Sequence, residues 1–316
     1  MQPRNSYAPV AAIAAIMALT ACGQSTTPQH SDKAQAPEAA PVQEAAPVQE
    51  APVAVAQKSS MDAVLSGAHR TDDEKARDVY RNPKDTLAFF EINKDMTVAE
   101  LFPGGGWYTK VIAPYLASGS GTFIAVNSDP GDNEGRQERL KQFEDKFSDE
   151  TIYGSVKSGL ISKESGFAQS GTVDVVLTFR NIHNLMKAEV LDTYLNHSFD
   201  ALKPGGILGV VEHRAGTDTP QDPQAQNGYV REDFMIAAAQ KAGFEFVSSS
   251  EINANPKDTR DHPFGVWTLP PVKRSSVTYG EKDPSFDSAP YVAIGESDRM
   301  TLKFRKPVGA EGSLLE

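Results

Sequence analysis

Glu100-Leu101-Phe102-Pro103-Gly104-Gly105-Gly106 joins a short apolar run, Met96 to Ala99, to Trp107-Tyr108-Thr109-Lys110-Val111-Ile112-Ala113, whose apolar residues recur at helical spacing. A strand, an acid, clustered glycines and then a helix leave few architectures open. This is how an open α/β sheet builds a nucleotide pocket at the end of its first strand. The glycines let backbone approach a ligand closely, because no Cβ stands in the way. The acid, Glu100, can accept hydrogen bonds from a ribose or an amino group. Trp107 and Tyr108 can either stack on a flat base or pack the helix against the sheet.

The pattern downstream repeats strand and helix. Thr122 to Val126 reads as a buried strand ending at Asn127, and Thr172 to Phe179 as a strong central one. Ile207 to Glu212 and Phe244 to Val247 follow as further strands. Helical spacing covers Asp72 to Phe90, broken in two at Arg81-Asn82-Pro83, then the segment up to Leu116, Arg136 to Phe147, Ala188 to Leu202, and Arg231 to Gly243. Phe264 to Leu269 and Met300 to Phe304 are strand-like with no helix between them, which predicts an antiparallel edge. Short apolar strands alternating with helices imply a doubly wound, mostly parallel sheet covered on both faces. Ligands in such sheets lie at the carboxyl ends of the strands. Three polar clusters follow strands directly: Asn127, Arg180 to Asn184, and Glu212-His213-Arg214. They should converge on one cleft.

The amino-terminal segment is of another kind. Residues 1–21 carry Arg4 and then Val10 to Leu19, an apolar stretch of about ten residues, too short to span a bilayer. Leu19-Thr20-Ala21-Cys22 resembles a bacterial lipoprotein signal, which implies export, lipidation of Cys22 and a membrane anchor facing the periplasm. Cys22 is the single cysteine, so no intramolecular disulfide is possible. Residues 22–59 are rich in Ala, Pro, Gln and Glu, with a near-repeat APVQE-AAPVQE-APVA. Such a stretch is expected to act as a disordered tether. That leaves a domain over 60–308 and a tail over 309–316. The net charge of -11 and the absence of a basic stripe argue against a nucleic-acid partner.

With these residues in view, the domain resembles class I S-adenosylmethionine-dependent methyltransferases, and LTFRNIHN and VVEHRAG look like a group of predicted bacterial methyltransferases. The family places an acid and alternating glycines at its first strand end; here they read Glu100, Phe102, Gly104 and Gly106, with Phe102 in the first glycine position. The acid that binds the ribose at the second strand end is replaced by Asn127, a weaker partner by about 1 kcal/mol. Val173-Asp174-Val175-Val176-Leu177 and the turn Leu202-Lys203-Pro204-Gly205-Gly206 match later signatures. The resemblance implies a Rossmann-like, seven-stranded, doubly wound sheet with an antiparallel C-terminal edge. It implies S-adenosylmethionine as methyl donor, held by Glu100, Phe102, Gly104, Gly105, Gly106, Asn127 and Asn181. A dinucleotide-binding dehydrogenase would need G-x-G-x-x-G, but that frame here gives Gly104, Gly106 and Thr109.

Methyl transfer is an in-line displacement from an already activated donor, so the protein has mainly to align a nucleophile and take its proton. His183 is the candidate base, with Asn181, Arg180 and His213 as further candidate catalytic residues. Arg180 can hold an anionic substrate or pair with a neighbouring acid. Glu212-His213-Arg214 can serve catalysis or a structural network, and Asp258-Thr259-Arg260-Asp261-His262-Pro263 an acceptor loop or a solvated turn. His183, His213 and His262 match no recognised metal spacing, so no metal is expected. Two readings follow: transfer to a small-molecule or envelope acceptor, or a catalytically inactive lipoprotein of the same fold that binds a metabolite or partner protein. Oligomeric state is not legible.

Overall fold

The computed structural model describes residues 60–309; the signal, Cys22, the tether and all but the first residue of the tail lie outside the described residues. The chain enters through four short helices, α1 (Met61–Ser66), α2 (Asp72–Lys75), α3 (Asp78–Arg81) and α4 (Pro83–Phe89). Thr71 and Glu74 close a capping box at α2. Asn82, at φ +40°, and Pro83, at the first helical position, make the expected break. A second break at Ala76-Arg77 divides the segment further, into three helices rather than two.

Strands and helices then alternate: β1 (Thr97–Leu101), α5 (Thr109–Ala117), β2 (Thr122–Ser128), α6 (Glu134–Lys146), α7 (Glu150–Tyr153), β3 (Val156–Ile161), β4 (Val173–Phe179), α8 (Ile182–Lys187), α9 (Leu191–Ala201), β5 (Leu202–His213), α10 (Glu232–Lys241) and β6 (Glu245–Ser250). The last elements are β7 (Pro263–Val266), α11 (Ala289–Ile294) and β8 (Arg299–Arg305). Seven strands form one sheet in the order β3-β2-β1-β4-β5-β8-β6. β1 to β5 pair in parallel, and β8 runs antiparallel to both β5 and β6. The fold is α/β, Rossmann-like and doubly wound, with an antiparallel C-terminal edge. The order reverses between β1 and β4, which fixes the topological switch point there.

Period-two alternation builds the two layers. Val98, Val175 and Leu177 face one apolar cluster, with Val111, Ile112 and Phe90; Ala99, Leu101 and Val176 face the other, with Leu185, Leu195 and Phe304. Asp174, the acid heading the central strand, accepts from Thr97 N at 2.8 Å and from Lys203 Nζ at 2.6 Å, so it ties the starts of three strands. The Lys203-Pro204-Gly205-Gly206 turn lies inside β5 as a register shift, with Gly205 at φ +80°. Three expectations differ from the structure, the first being that no helix separates Phe264 to Leu269 from Met300 to Phe304, whereas α11 intervenes. Phe264 to Leu269 yields only the short β7, which lies outside the seven-stranded sheet, and the antiparallel strand is β8 inserted between β5 and β6. The edge strand β3 had no sequence reading, because only Leu160's neighbours Gly159 and Ile161 in VKSGLI are fully buried.

Candidate functional site

At the end of β1 the backbone of Phe102 donates to Val126 O at 2.7 Å and then turns through φ +54°. A phenylalanine in the left-handed region costs about 1–2 kcal/mol, a strain that glycine would not carry. Its ring stacks on Tyr194, with centroids 5.8 Å apart at 20°. Gly104 follows at φ +57°, and a Cβ on Gly104 or Gly105 would meet no atom within 4 Å. Both line a hollow of about 290 Å³ together with Glu100. Gly106 serves the packing instead. At φ +79° its Cβ would lie 2.2 Å from Phe147 Cζ, so its lack of a side chain lets α6 pack closely. Glu100 is buried and accepts from Thr109 Oγ1 at 3.1 Å. Burial pushes its carboxyl up to about 8, against the weaker pull of the Thr109 hydroxyl and Arg81.

A second hollow, of about 530 Å³, lies at the ends of β2 and β3 and shares Phe102 and Asn181 with the first. Ser128, Asp129, Lys163 and Tyr194 are on its wall. Asn127 sits one residue short of that rim, half-buried, with its Nδ2 atom unpartnered. The two hollows form one trough bent around the glycine turn. Its larger arm suits a nucleoside and its smaller arm a short polar chain. The open glycine cradle and the orphaned amide of Asn127 are the features such a ligand would fit.

A third hollow, of about 180 Å³, opens at the ends of β4 and β5 and shares Arg180 with the first. His183 and His213 are on its wall, beside Trp267 and Ser297. Behind them Glu212 is fully buried. Its Oε2 accepts from Ile182 N at 2.6 Å, and its Oε1 accepts from His213 N at 2.8 Å and from His183 Nδ1 at 3.0 Å. That bond makes Nδ1 of His183 the protonated nitrogen and leaves Nε2 as the ring's accepting atom. His213 Nδ1 bonds Ser297 Oγ. Burial, then His183, Arg180, Arg299 and Arg81, hold the His213 imidazole well below its usual range, so it is neutral near pH 7.

Of the sequence-predicted residues, Arg180 and Asn181 line the first hollow and Arg180, His183 and His213 the third, so Arg180 joins the two groups. Asn181 contributes as a strap: its Nδ2 reaches Phe102 O at 3.2 Å and Phe179 O at 3.1 Å, holding the glycine turn against β4. His183, Glu212 and His213 place ligand atoms within 4.8 Å of one another, a spacing a metal ion can use. Both Glu212 oxygens are already committed to N–H donors, and the surrounding guanidiniums oppose a cation. His262 is elsewhere, bonded to Asp258 at 2.8 Å. Asp258 also accepts from Tyr229 Oη at 3.0 Å and from Asp298 N at 2.8 Å, so Asp258 and His262 form a buried structural knot while Thr259, Asp261 and Pro263 stay exposed on the turn around it. Arg214 pairs with Glu251 and Asp298, a structural network. Tyr108 stacks on Phe179 at 3.6 Å and Trp107 Nε1 donates to Glu74 O at 3.1 Å, so both are packing residues that also wall the first hollow. Sequence reasoning missed Arg77, Arg81, Asp129, Tyr194 and Glu296. The i, i+4 spacing of Arg77 and Arg81 was the one available signal.

No protein-family model matches the chain. Among curated proteins, trichosetin synthetase PKS-NRPS1 of Gibberella fujikuroi is 27% identical over 117 residues, which is 37% of this chain and 3% of that protein. The chain thus spans a small fraction of that relative's length. Among solved structures, an S-adenosylmethionine-dependent methyltransferase from Aquifex aeolicus is similar at 18% identity and TM-score 0.43, covering 56% of this chain and 87% of that one. The cyclase SpnF is similar at 14% identity and TM-score 0.49, covering 77% and 86%. A Burkholderia thailandensis 1,6-didemethyltoxoflavin-N1-methyltransferase, solved with S-adenosylhomocysteine, is similar at 12% identity and TM-score 0.43, covering 75% and 81%. The fold assignment rests on this chain's own strand order.

Proposed function

We propose that the chain is an S-adenosylmethionine-dependent methyltransferase acting on a small-molecule or envelope acceptor. The observation that carries this reading is the shared wall at Arg180: the glycine-turn trough and the hollow holding His183 open on either side of one residue. When bound, the sulfonium donor supplies an activated methyl group. The chain's own residues do the rest. Gly104 and Gly105 admit the donor's amino-acid arm, Glu100 accepts from its ammonium, and Asn127 with Asp129 faces the ribose. His183 Nε2 takes the proton that leaves the acceptor, while Glu212 holds the ring and stabilises the imidazolium that forms. Arg180, Asn181 and His213 shape the passage between donor and acceptor.

Support for this reading is the open glycine cradle, the buried acid beside it and a base oriented by a carboxylate. Calorimetric titration with S-adenosylmethionine and S-adenosylhomocysteine tests it. Micromolar binding of both is expected, and no binding at millimolar ligand would refute it. His183→Gln should leave donor affinity within about twofold and lower turnover by about 10²–10⁴. We also propose that Cys22 is lipidated and anchors the protein to a membrane facing the periplasm. Loss of labelled-palmitate incorporation in Cys22→Ser would bear this out, and no incorporation in the wild type would refute it.

A further inference from the structure

We propose that the arginine-lined arm of the trough is an oxyanion seat, and that the acceptor is a substrate carrying a phosphate or comparable dianionic group. This rests on the methyltransferase reading above. Arg77 and Arg81 at α3, Arg180 after β4 and Arg299 at the start of β8 come from three separate places in the chain and surround a single carboxylate, Glu296. Arg77 Nε reaches Glu296 at 2.7 Å, Arg81 Nε at 3.1 Å and Arg299 Nη1 at 3.2 Å. Burial raises the Glu296 carboxyl, but Arg81, Arg299, Arg77 and Arg180 outweigh it and hold the group at about 2.

One carboxylate cannot balance four guanidiniums. The other acids at this hollow do not close the gap. Glu74 is taken by Lys110 Nζ at 2.8 Å, and Glu100 holds its proton at neutral pH. The arginines are also short of partners. Arg77 Nη2, Arg81 Nη2 and Arg180 Nε are buried atoms with no hydrogen bond, and Arg81 as a whole is only 1% exposed. Buried N–H groups without acceptors are costly, and guanidinium forks match phosphate and carboxylate oxygens. Burial first, then the neighbouring Arg180, pushes the Arg81 guanidinium down to about 10 despite the opposing pull of Glu296.

The donor supplies at most part of what is missing, since its amino-acid arm brings a single carboxylate into this hollow. With a sulfonium, an ammonium and one carboxylate it is a net cation, which three uncompensated guanidiniums repel. A dianion on the acceptor satisfies the orphaned N–H groups and turns that repulsion into attraction for the donor. Position agrees with charge. Arg77, Arg81 and Arg180 share the hollow with Gly104 and Gly105, and Arg180 alone reaches the hollow of His183. An anion held there would present the rest of its molecule between donor and base. The field is local, since the chain as a whole carries -11.

Inorganic phosphate is the probe. It would be titrated into the wild type, Arg77→Gln, Arg180→Gln and Lys241→Gln, against potassium chloride at matched ionic strength, with and without S-adenosylmethionine. Expected is saturable phosphate binding that weakens at least tenfold in each arginine variant and stays within twofold in Lys241→Gln, whose lysine is exposed on α10. Phosphate should bind several-fold tighter with donor present, and the donor by the same factor with phosphate present. Arg77 is only half-buried, so Arg77→Gln carries the test should Arg180→Gln fail to fold. No binding beyond chloride, or binding indifferent to the arginines, overturns the seat. Competition between phosphate and donor overturns its assignment to the acceptor and gives it to the donor's carboxylate. Donor binding without phosphate binding would sink this inference and leave the methyltransferase reading intact. Arginine-dependent phosphate binding without donor binding would leave an anion seat in place but overturn the methyltransferase reading, and with it the assignment of the seat to an acceptor.

Discussion

Glu100→Gln tests whether the acid at the glycine turn is neutral in the folded protein. The carboxyl is 3% exposed, and burial pushes it up to about 8 from an ordinary 4.5. Between those values the folded state keeps a proton that the unfolded chain has lost. Stability contributed by this site therefore falls as pH rises through the window, the reverse of an ion-paired acid. The slope approaches about 1.4 kcal/mol per pH unit, so the accumulated cost at pH 7 is roughly 3 kcal/mol. Glutamine is a neutral isostere that can still accept from Thr109 Oγ1 and has no ionised form to favour unfolding. Denaturant unfolding of both proteins between pH 4 and 8.5 should give curves that coincide near pH 4. They should then diverge in favour of Glu100→Gln by roughly 3 kcal/mol at pH 7. Donor binding gives the complementary signal. An ammonium against Glu100 draws the proton off, so wild-type affinity should rise by about tenfold per pH unit below 8, with proton release visible in buffers of different ionisation enthalpy. A difference curve flat across the window would mean that the carboxyl is ionised in the folded state, and the argument from burial would fail.

Glu212→Gln should lower stability by about 1–3 kcal/mol in thermal unfolding, because an amide nitrogen in either orientation must face a backbone N–H, that of Ile182 or that of His213. Gly105→Ala should change stability by less than about 1 kcal/mol yet weaken donor binding at least tenfold, since its Cβ points into the open trough; Gly106→Ala should cost about 2–4 kcal/mol through the clash with Phe147. Equal effects of the two substitutions on stability would refute that division. Asn127→Asp should strengthen donor binding roughly five- to tenfold by calorimetry, as a charge-assisted bond replaces a neutral one, and unchanged affinity would remove Asn127 from the ribose contact.

Legibility in the sequence followed burial. β4 was plain because Val173 to Phe179 is apolar on both faces, and β1 because its glycine turn announces what precedes it. β3 was not, since half of VKSGLI faces solvent at a sheet edge and carries no continuous apolar run. The place of β8 was hidden for another reason. Its pairing with β5 and β6 is set by which strand edges remain open in three dimensions, and no local pattern encodes that. Arg180, Asn181, His183 and His213 were legible as polar residues right after apolar strands. Arg77, Arg81 and Glu296 were not. They lie in segments that read as an ordinary surface helix and a loop, and only the long-range fold buries them. Helix α8 shows the same limit: Arg180 to Asn184 read as a loop, whereas the chain coils immediately after Asn181 and places His183 within a helix.

The two neighbouring strands that make the cleft end in the same way. Phe102 leaves β1 by donating to Val126 O of β2 at 2.7 Å, and Arg180 leaves β4 by donating to Val211 O of β5 at 2.7 Å. Each then turns through a left-handed residue, at φ +54° and φ +60°. β1 and β4 thus cling to their outer neighbours as they end, so the sheet parts between them. That parting is the crevice at the switch point, and the glycine turn and Asn181 sit in it. Glycine would make either turn without strain, yet the chain carries a phenylalanine and an arginine there. Each position costs about 1–2 kcal/mol of backbone strain that a glycine would avoid. Phe102 sets its ring where the two arms of the trough meet, and Arg180 sets a guanidinium in the wall between donor arm and base. Left-handed non-glycine residues occur elsewhere among the described residues, but Phe102 and Arg180 are the two that end neighbouring strands and line the cavities, so at this crevice side-chain identity is held at the expense of backbone strain.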